Sequence, residues 1–394
     1  MALPHHDAGK VAAQTMYSAI KDDRRELETL ISQLVDQAGP RAATSPGEAA
    51  AAAFVNGRLR RSGMGVATYE LRAVAQTGRV YVFCGALGLL AAALSLAFPL
   101  LSLLFALNLL VWVVRDSFWV PIPPIGRRRA SQNIVGTQAI VGAAGLAPRA
   151  PRWRVVLLAP LDAPQNRRGL AALAGSARSA ALVRVTAIVL VATGAAVALF
   201  FPGAGWPISL AGATLCLLVL FAGFMPPTPT PADGGVAALA TMVTAVQRIE
   251  QLNRVEVWAV AVGAAGTDPR GVMTLLPRYP FDRIHTLFIA LEALAGAQVV
   301  YATREGAAGA DALLLRLAAA ADAADPLIDA EPRSLEQPGH LAGPLRRHGY
   351  RVLTILARPA PGAPPRPTAL PDSRLVERAT RLVVVMVRGL EAMD

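Results

Sequence analysis

The sequence predicts an α/β domain, a largely parallel sheet sandwiched by helices, interrupted by two transmembrane helical hairpins. Three observations carry this. Strand-like and helix-like segments alternate along the chain, the pattern of a layered domain built on a largely parallel sheet. Two long stretches, Val80–Val114 and Val185–Ala232, contain no charged residue. Of the 394 residues 16% are charged and 54% hydrophobic, with a mean hydropathy of +0.43. An ordinary soluble domain carries about 25% charged residues, so a purely soluble enzyme and a disordered chain are both excluded.

Residues 1–79 are expected to open the soluble domain. Met16, Ile20, Leu27, Leu30, Ile31 and Leu34 recur at three- and four-residue spacing, which predicts a helix over 8–38. A second helix follows in SPGEAAAAAFVNGRLRRSG, with Ser45 as N-cap, Pro46 at the first helical position and Gly63 as the stop. VATYEL then alternates as a strand. The run 80–114 is longer than the roughly 20 residues one crossing needs and is broken by Pro99, so it reads as a hairpin, with one long tilted helix as the alternative. Residues 115–184 return to the soluble domain with the strands QNIVGTQ and WRVVLLAPLD. The second hairpin, 185–224, turns at Pro202–Pro207, where Trp206 suits a membrane interface. A Pro/Thr linker, 225–235, leads into the C-terminal part, 236–394. It holds a helix from Val236 to Leu252, the strands VEVWAVAVG, IHTLFIAL, AQVVYAT and YRVLTILA, an Ala-rich helix from Ala310 and a closing helix over Ser373–Ala392.

The charge balance, 38 Lys+Arg against 27 Asp+Glu, is net +11. The excess is almost all arginine and lies beside the apolar runs: Arg58, Arg60, Arg61, Arg72 and Arg79 before the first, Arg115 and Arg127–Arg129 after it, and Arg167, Arg168, Arg178 and Arg184 before the second. By the positive-inside rule the termini and the soluble domain are cytoplasmic, in a cell inner (plasma) membrane. No apolar stretch adjoins the first ten residues, so no cleavable secretory signal is expected. No basic stripe is interleaved with aromatics, so the lipid bilayer, not nucleic acid, is the expected partner. Two cysteines, Cys84 and Cys216, cannot form a disulfide framework or a thiolate zinc site.

The order of seven soluble segments resembles the zinc-dependent exopeptidases of metallopeptidase family twenty-eight, the aminopeptidase and glutamate-carboxypeptidase group. These segments are SPGEAAAAAFVNGRLRRSGMGVATYEL, SQNIVGT, VVLLAPLDAP, ADGGVAALATMVTAVQRI, VEVWAVAVGAAG, IALEALAGAQVVYATREG and RPTALPDSRLVERATRLVVVMVRGL. The resemblance implies that family's fold and a zinc pair held by imidazoles and carboxylates, with a carboxylate base beside it. Carried over position by position, the first histidine falls on Pro160, and Asp162 is the residue that would have oriented it. The bridging aspartate falls loosely on Asp233, the adjacent glutamate pair on Ala265 and Gly266, the next carboxylate ligand on Glu292 and the last histidine on Pro367. Two carboxylates of five ligands remain, with no base and no imidazole. Zinc is the family's expected cofactor, but its ligands are missing, so no cofactor is expected here; two hard oxygens would suit Mg²⁺ or Ca²⁺ at most weakly.

None of the five histidines stands at metal-ligand spacing to another ligand on one element. Asp268, in GTDPRG, is a candidate replacement carboxylate, although Asp before Pro is ordinarily a turn residue. The sequence also lacks a nucleophile elbow, a phosphate-binding glycine loop and a Cys–His pair, and the apolar runs carry no ionisable relay. The expected protein is a multi-pass membrane protein with a degenerate, catalytically inactive exopeptidase-like domain that binds a peptide or protein partner or organises a complex. Its vestigial cleft would lie at the carboxyl ends of the central strands, near Asp162, Asp233, Gly263–Gly266 and Glu292. Two alternatives stay open: an active membrane-tethered metallo-aminopeptidase using Asp162, Asp233, Asp268 and Glu292 as replaced ligands, and a transporter-associated subunit.

Overall fold

The computed structural model describes residues 24–76, 78–118, 124–138, 151–163, 167–175, 177–227, 234–249, 252–306, 308–336, 339–358 and 371–393. In chain order these form α1 (24–38), α2 (Pro46–Arg61), β1 (Gly65–Val74), α3 (Arg79–Ala97), α4 (Pro99–Phe118), β2 (Arg128–Thr137), β3 (Trp153–Pro160), a 3-10 turn (Gly169–Ala174), α5 (Arg178–Phe200) and α6 (Trp206–Phe224). The remainder comprises α7 (Gly234–Arg248), β4 (Val255–Val262), α8 (Arg270–Met273), β5 (Thr286–Leu291), β6 (Gln298–Glu305), β7 (Ala308–Gly309), α9 (Ala312–Ala324), β8 (Ala330–Leu335), α10 (Ala342–Arg347), β9 (Arg351–Arg358) and α11 (Ser373–Glu391). The chain divides into a sheet unit (1–73, 129–164 and 230–394) and a helical unit (74–128 and 165–229).

In the sheet unit the strands follow the order β1-β2-β4-β3-β5-β9-β6-β7, with β8 on the other edge of β6. The centre, β4-β3-β5-β9, is parallel, while β2 and β6 run antiparallel to their neighbours β4 and β9. The near-continuous apolar runs of β3, β4 and β5 fit this position, because a parallel centre is covered on both faces. Side chains alternate accordingly. Val155, Leu157 and Ala159 of β3 join one core with residues of α1, α2, α7, α9 and α11, whereas Val156 and Leu158 join a second core with Trp258, Phe281, Phe288 and Leu345.

The helix ends follow the sequence. Ser45 accepts a hydrogen bond from the Glu48 amide at 3.3 Å, Pro46 opens α2, and Gly63 closes it at φ +77°. Asp311 and Asp372 cap α9 and α11 in the same way. The strand β8 and the short helices α8 and α10 fall outside the sequence expectation. In β8 the run AEPRSL is polar and contains Pro332, which is tolerated because, among the described residues, β8 is an edge strand that pairs with β6 alone.

Four helices of the helical unit, α3, α4, α5 and α6, are long and apolar enough to cross a membrane. The first charge-free run forms two of them, parted at Phe98 with Pro99 opening α4. The four helices close into a ring in which α3 packs on α4 and α6, and α5 on α4 and α6. Small residues permit this approach. A Cβ on Gly212 would lie 2.8 Å from the Ala187 carbonyl oxygen, and one on Gly85 would lie 2.7 Å from that of Cys216. The helices also extend past the charge-free runs. Arg184, in the second turn of α5, is buried and donates to the carbonyls of Leu173 and Gly175 at 2.8 Å each, with its guanidinium over the Tyr81 ring.

Candidate functional site

Parallel pairing aligns the carboxyl ends of β3, β4 and β5. Pro160 is in register with Val262, and Leu158 with Ala290, so Asp162, the turn after β4 and Glu292 all follow strands that end on the same side of the sheet. Asp233 and Pro367 lie outside the described residues.

Asp162 is 1% exposed, and its carboxylate accepts from the Gly266 amide at 3.1 Å. Burial, reinforced by the negative charge of Glu48, pushes its pKa up to about 7, against the opposing pull of the amides. Glu48 projects from the first turn of α2 and is also buried. It accepts from the Ala264 amide at 3.1 Å, from the Thr44 amide and from the Ser131 hydroxyl, and burial raises its pKa as well. Two buried carboxylates thus hold the turn over 263–267 from beneath. Ala264 is held there at φ +50°, a conformation unfavourable for a residue with a Cβ. A Cβ on the preceding Gly263 would meet Ser131, Gln132 and Glu48. Ala265 is buried against the second core.

Arg41 reaches the same strand end. It is 1% exposed, donates from Nε to the Leu161 carbonyl at 3.0 Å and accepts on its own carbonyl from the Ala163 amide at 2.7 Å. A Cβ on Gly235 would lie 2.7 Å from its Nη2, so the glycine pair opening α7 leaves room for the guanidinium.

Glu292 takes a different course. One carboxylate oxygen accepts from the Leu341 amide at 2.8 Å and the Ala342 amide at 3.4 Å, the other from the His340 amide at 3.0 Å. It anchors the start of α10, and burial raises its pKa. Glu305 supports the same segment, accepting from the Gly339 amide and pairing with Arg346 at 2.8 Å. Asp268 is 2% exposed and accepts from the Arg270 amide at 3.0 Å, a local turn into α8.

The structure therefore joins Asp162, Ala265 and Gly266 in one contact, continues through Asp268, and engages Glu292 with α10. The described donors do not fit a zinc pair: Pro160, Ala265 and Gly266 have no ligating side chain, and Asp162 and Glu292 accept backbone amides. Among the described residues, no three His, Cys, Asp or Glu side chains group as a metal site. His285 faces Asp282, and His348 meets the Pro344 carbonyl. Glu48, Arg41, Asn133 and the Glu305–Arg346 pair escaped the sequence reading. The legible signals were a carboxylate in an alanine-rich helix for Glu48 and an amide beside an apolar strand run for Asn133. Arg41 gave none, because arginine in a Gly/Pro loop reads as surface.

No protein-family model matches the sequence, and no curated protein matches it. Solved structures do. A zinc aminopeptidase from Bacillus subtilis matches at a TM-score of 0.54 and 11% identity, over 93% of this chain and 94% of that one. An aminopeptidase from Aneurinibacillus sp. strain AM-1 matches at 0.52 and 11%, over 92% and 93%. The glutaminyl cyclase of Porphyromonas gingivalis matches at 0.50 and 8%, over 93% and 98%. At such identities the likeness concerns the fold: the chain has the mixed α/β fold shared by zinc aminopeptidases and glutaminyl cyclases.

Proposed function

We propose that the chain is a multi-pass membrane protein whose aminopeptidase-like domain is catalytically inactive and binds a peptide or protein partner, or organises a complex. The observation that carries this reading is the use made of the two carboxylates at the strand ends. Asp162 holds the Gly266 amide and Glu292 holds the start of α10, and among the described residues no three His, Cys, Asp or Glu side chains group around either. Pro160 offers no imidazole with which a carboxylate at Asp233 could share a cation.

The outer faces of the four apolar helices support the membrane part of the reading. Phe83, Leu90, Leu104, Trp112, Leu210 and Phe221 are exposed on helices whose buried positions include many serines, glycines and alanines. That surface suits lipid, where helix association rests on close packing of small residues. The arginine flanks favour cytoplasmic termini and a cytoplasmic sheet unit in an inner (plasma) membrane.

Purified full-length protein, assayed with aminoacyl-p-nitroanilides and with an N-terminal glutamine peptide, is expected to show no turnover above buffer, with or without added zinc. Turnover abolished by a chelator would overturn the reading in favour of a membrane-tethered hydrolase using Asp162, Asp233, Asp268 and Glu292. For orientation, a C-terminal green fluorescent protein fusion is expected to fluoresce and an alkaline phosphatase fusion to be inactive; the opposite pair would place the C-terminus outside.

A further inference from the structure

Beside the turn that follows β4 lies a groove of about 460 Å³, whose polar lining is contributed by Tyr69, Glu70, Arg72, Asn133, Arg270, Thr274 and Arg278. Neither Asp162 nor Glu292 lines it. Tyr69, Glu70 and Arg72 stand on β1, at one end of the sheet, Asn133 on β2, and Arg270 and Arg278 on and just after α8.

The floor is rigidly built. Asn133, 1% exposed, donates to the Gly271 carbonyl at 2.7 Å and to the Thr274 hydroxyl at 3.3 Å, and accepts from the Gly263 amide at 2.9 Å. One wall is aromatic. The Arg278 guanidinium lies 3.8 Å from the centre of the Tyr69 ring, and the Tyr69 and Tyr279 hydroxyls are hydrogen-bonded, so the cation rests on a fixed platform. Arg72, Arg270 and Arg278 are all exposed, and among the described residues none of them forms an ion pair.

Glu70 and Arg72 alternate with Tyr69 and Leu71 along β1 and leave the strand on its other face, so the charges beside the Tyr69 platform are the guanidinium groups of Arg270 and Arg278. One bidentate arginine satisfies a carboxylate ligand, which would leave the other uncompensated. A phosphate monoester carries about −1.5 to −2 near pH 7 and three acceptor oxygens, which matches the charge of the pair and offers acceptors to both. We propose that this groove binds a phosphate monoester through Arg270 and Arg278, with Tyr69 positioning Arg278. The monoester is either the headgroup of a phosphatidate-type lipid or a soluble phosphate ester.

The test uses the full-length protein in a neutral detergent and isothermal titration calorimetry. Glycerol 3-phosphate is the soluble probe, a short-chain phosphatidic acid the lipid probe, and phosphatidylcholine of the same chain length the control. At least one monoester is expected to bind saturably, and the stronger of the two identifies the source. The Arg270→Ala/Arg278→Ala variant, altered only at exposed positions, is expected to weaken that binding by roughly tenfold or more. Arg278→Gln alone, which keeps a long polar side chain without the charge, is expected to weaken it as well and serves as the second variant should the first fail to fold. Failure of both monoesters to bind, equal binding of phosphatidylcholine, or unchanged affinity in these variants would overturn the proposal.

Discussion

The sheet unit and the helical unit bury different kinds of polar group. The sheet unit buries ionisable side chains: Arg41, Glu48, Asp162 and Glu305 are each at most 2% exposed. The buried polar groups described in the helical unit are the hydroxyls of Ser95, Ser102 and Ser209, with Arg184 near the start of α5. The outer surfaces invert. The sheet unit presents ion pairs such as Arg333–Glu331 and Arg378–Asp329, whereas the helical unit presents phenylalanine, leucine and tryptophan. The difference follows from what each interior must satisfy. Loops and helix starts at the strand ends leave backbone amides that need acceptors, and buried carboxylates supply them. Continuous apolar helices satisfy their own backbone, so only close packing remains to be arranged. For function, the lesson is that the carboxylates at the strand ends are committed to holding turns.

Substitutions that violate each interior's rule should sharpen this contrast. The largest effect is expected from Gly212→Leu, which drives a side chain against the Ala187 backbone; a loss of about 3 kcal/mol, seen as collapse of the monodisperse fraction in detergent, is predicted. Glu48→Ala comes next. It strands the Thr44 and Ala264 amides and the Ser131 hydroxyl, and should cost about 2–3 kcal/mol, measured by chemical denaturation followed by tryptophan fluorescence.

A smaller effect should appear in the pH dependence. The folded pKa of Asp162, about 7, lies above its ordinary 3.8, so the folded state holds this proton more tightly than the unfolded chain. Its contribution to stability is fully present below the ordinary value and declines as pH rises toward 7, the direction Glu48 shares. The melting temperature should therefore fall between about pH 4 and pH 7 and level off above, and Asp162→Asn should flatten that fall. An unchanged slope would show that this carboxylate is not held protonated. The smallest effect belongs to Leu104→Ala on the outer face of α4, 58% exposed, which should shift stability in detergent by no more than about 0.5 kcal/mol.

The sequence carried the fold further than the site. Apolar runs, Ser45–Pro46, Gly63 and the Asp372 cap are local signals, and each marks an element that local physics alone favours. The parallel centre was legible because strand-like and helix-like segments alternate along the chain. β8 was not, since its residues are polar and its place depends on β6. At the site, positions without donors, Pro160, Ala265 and Gly266, were readable one residue at a time. What Asp162, Glu292 and Glu48 do was hidden, because their partners are amides 104, 49 and 216 residues away. Arg41 depends likewise on Leu161, 120 residues away.

The most direct measurement is the metal content of full-length protein purified in detergent without chelators, by elemental analysis, after equilibration with zinc and removal of the unbound ion. If the strand-end carboxylates are spent on backbone amides, the folded, monodisperse protein should retain no stoichiometric zinc. Retention of about two equivalents per chain, the content of a co-catalytic zinc pair, would contradict that assignment and return the site to the hydrolases.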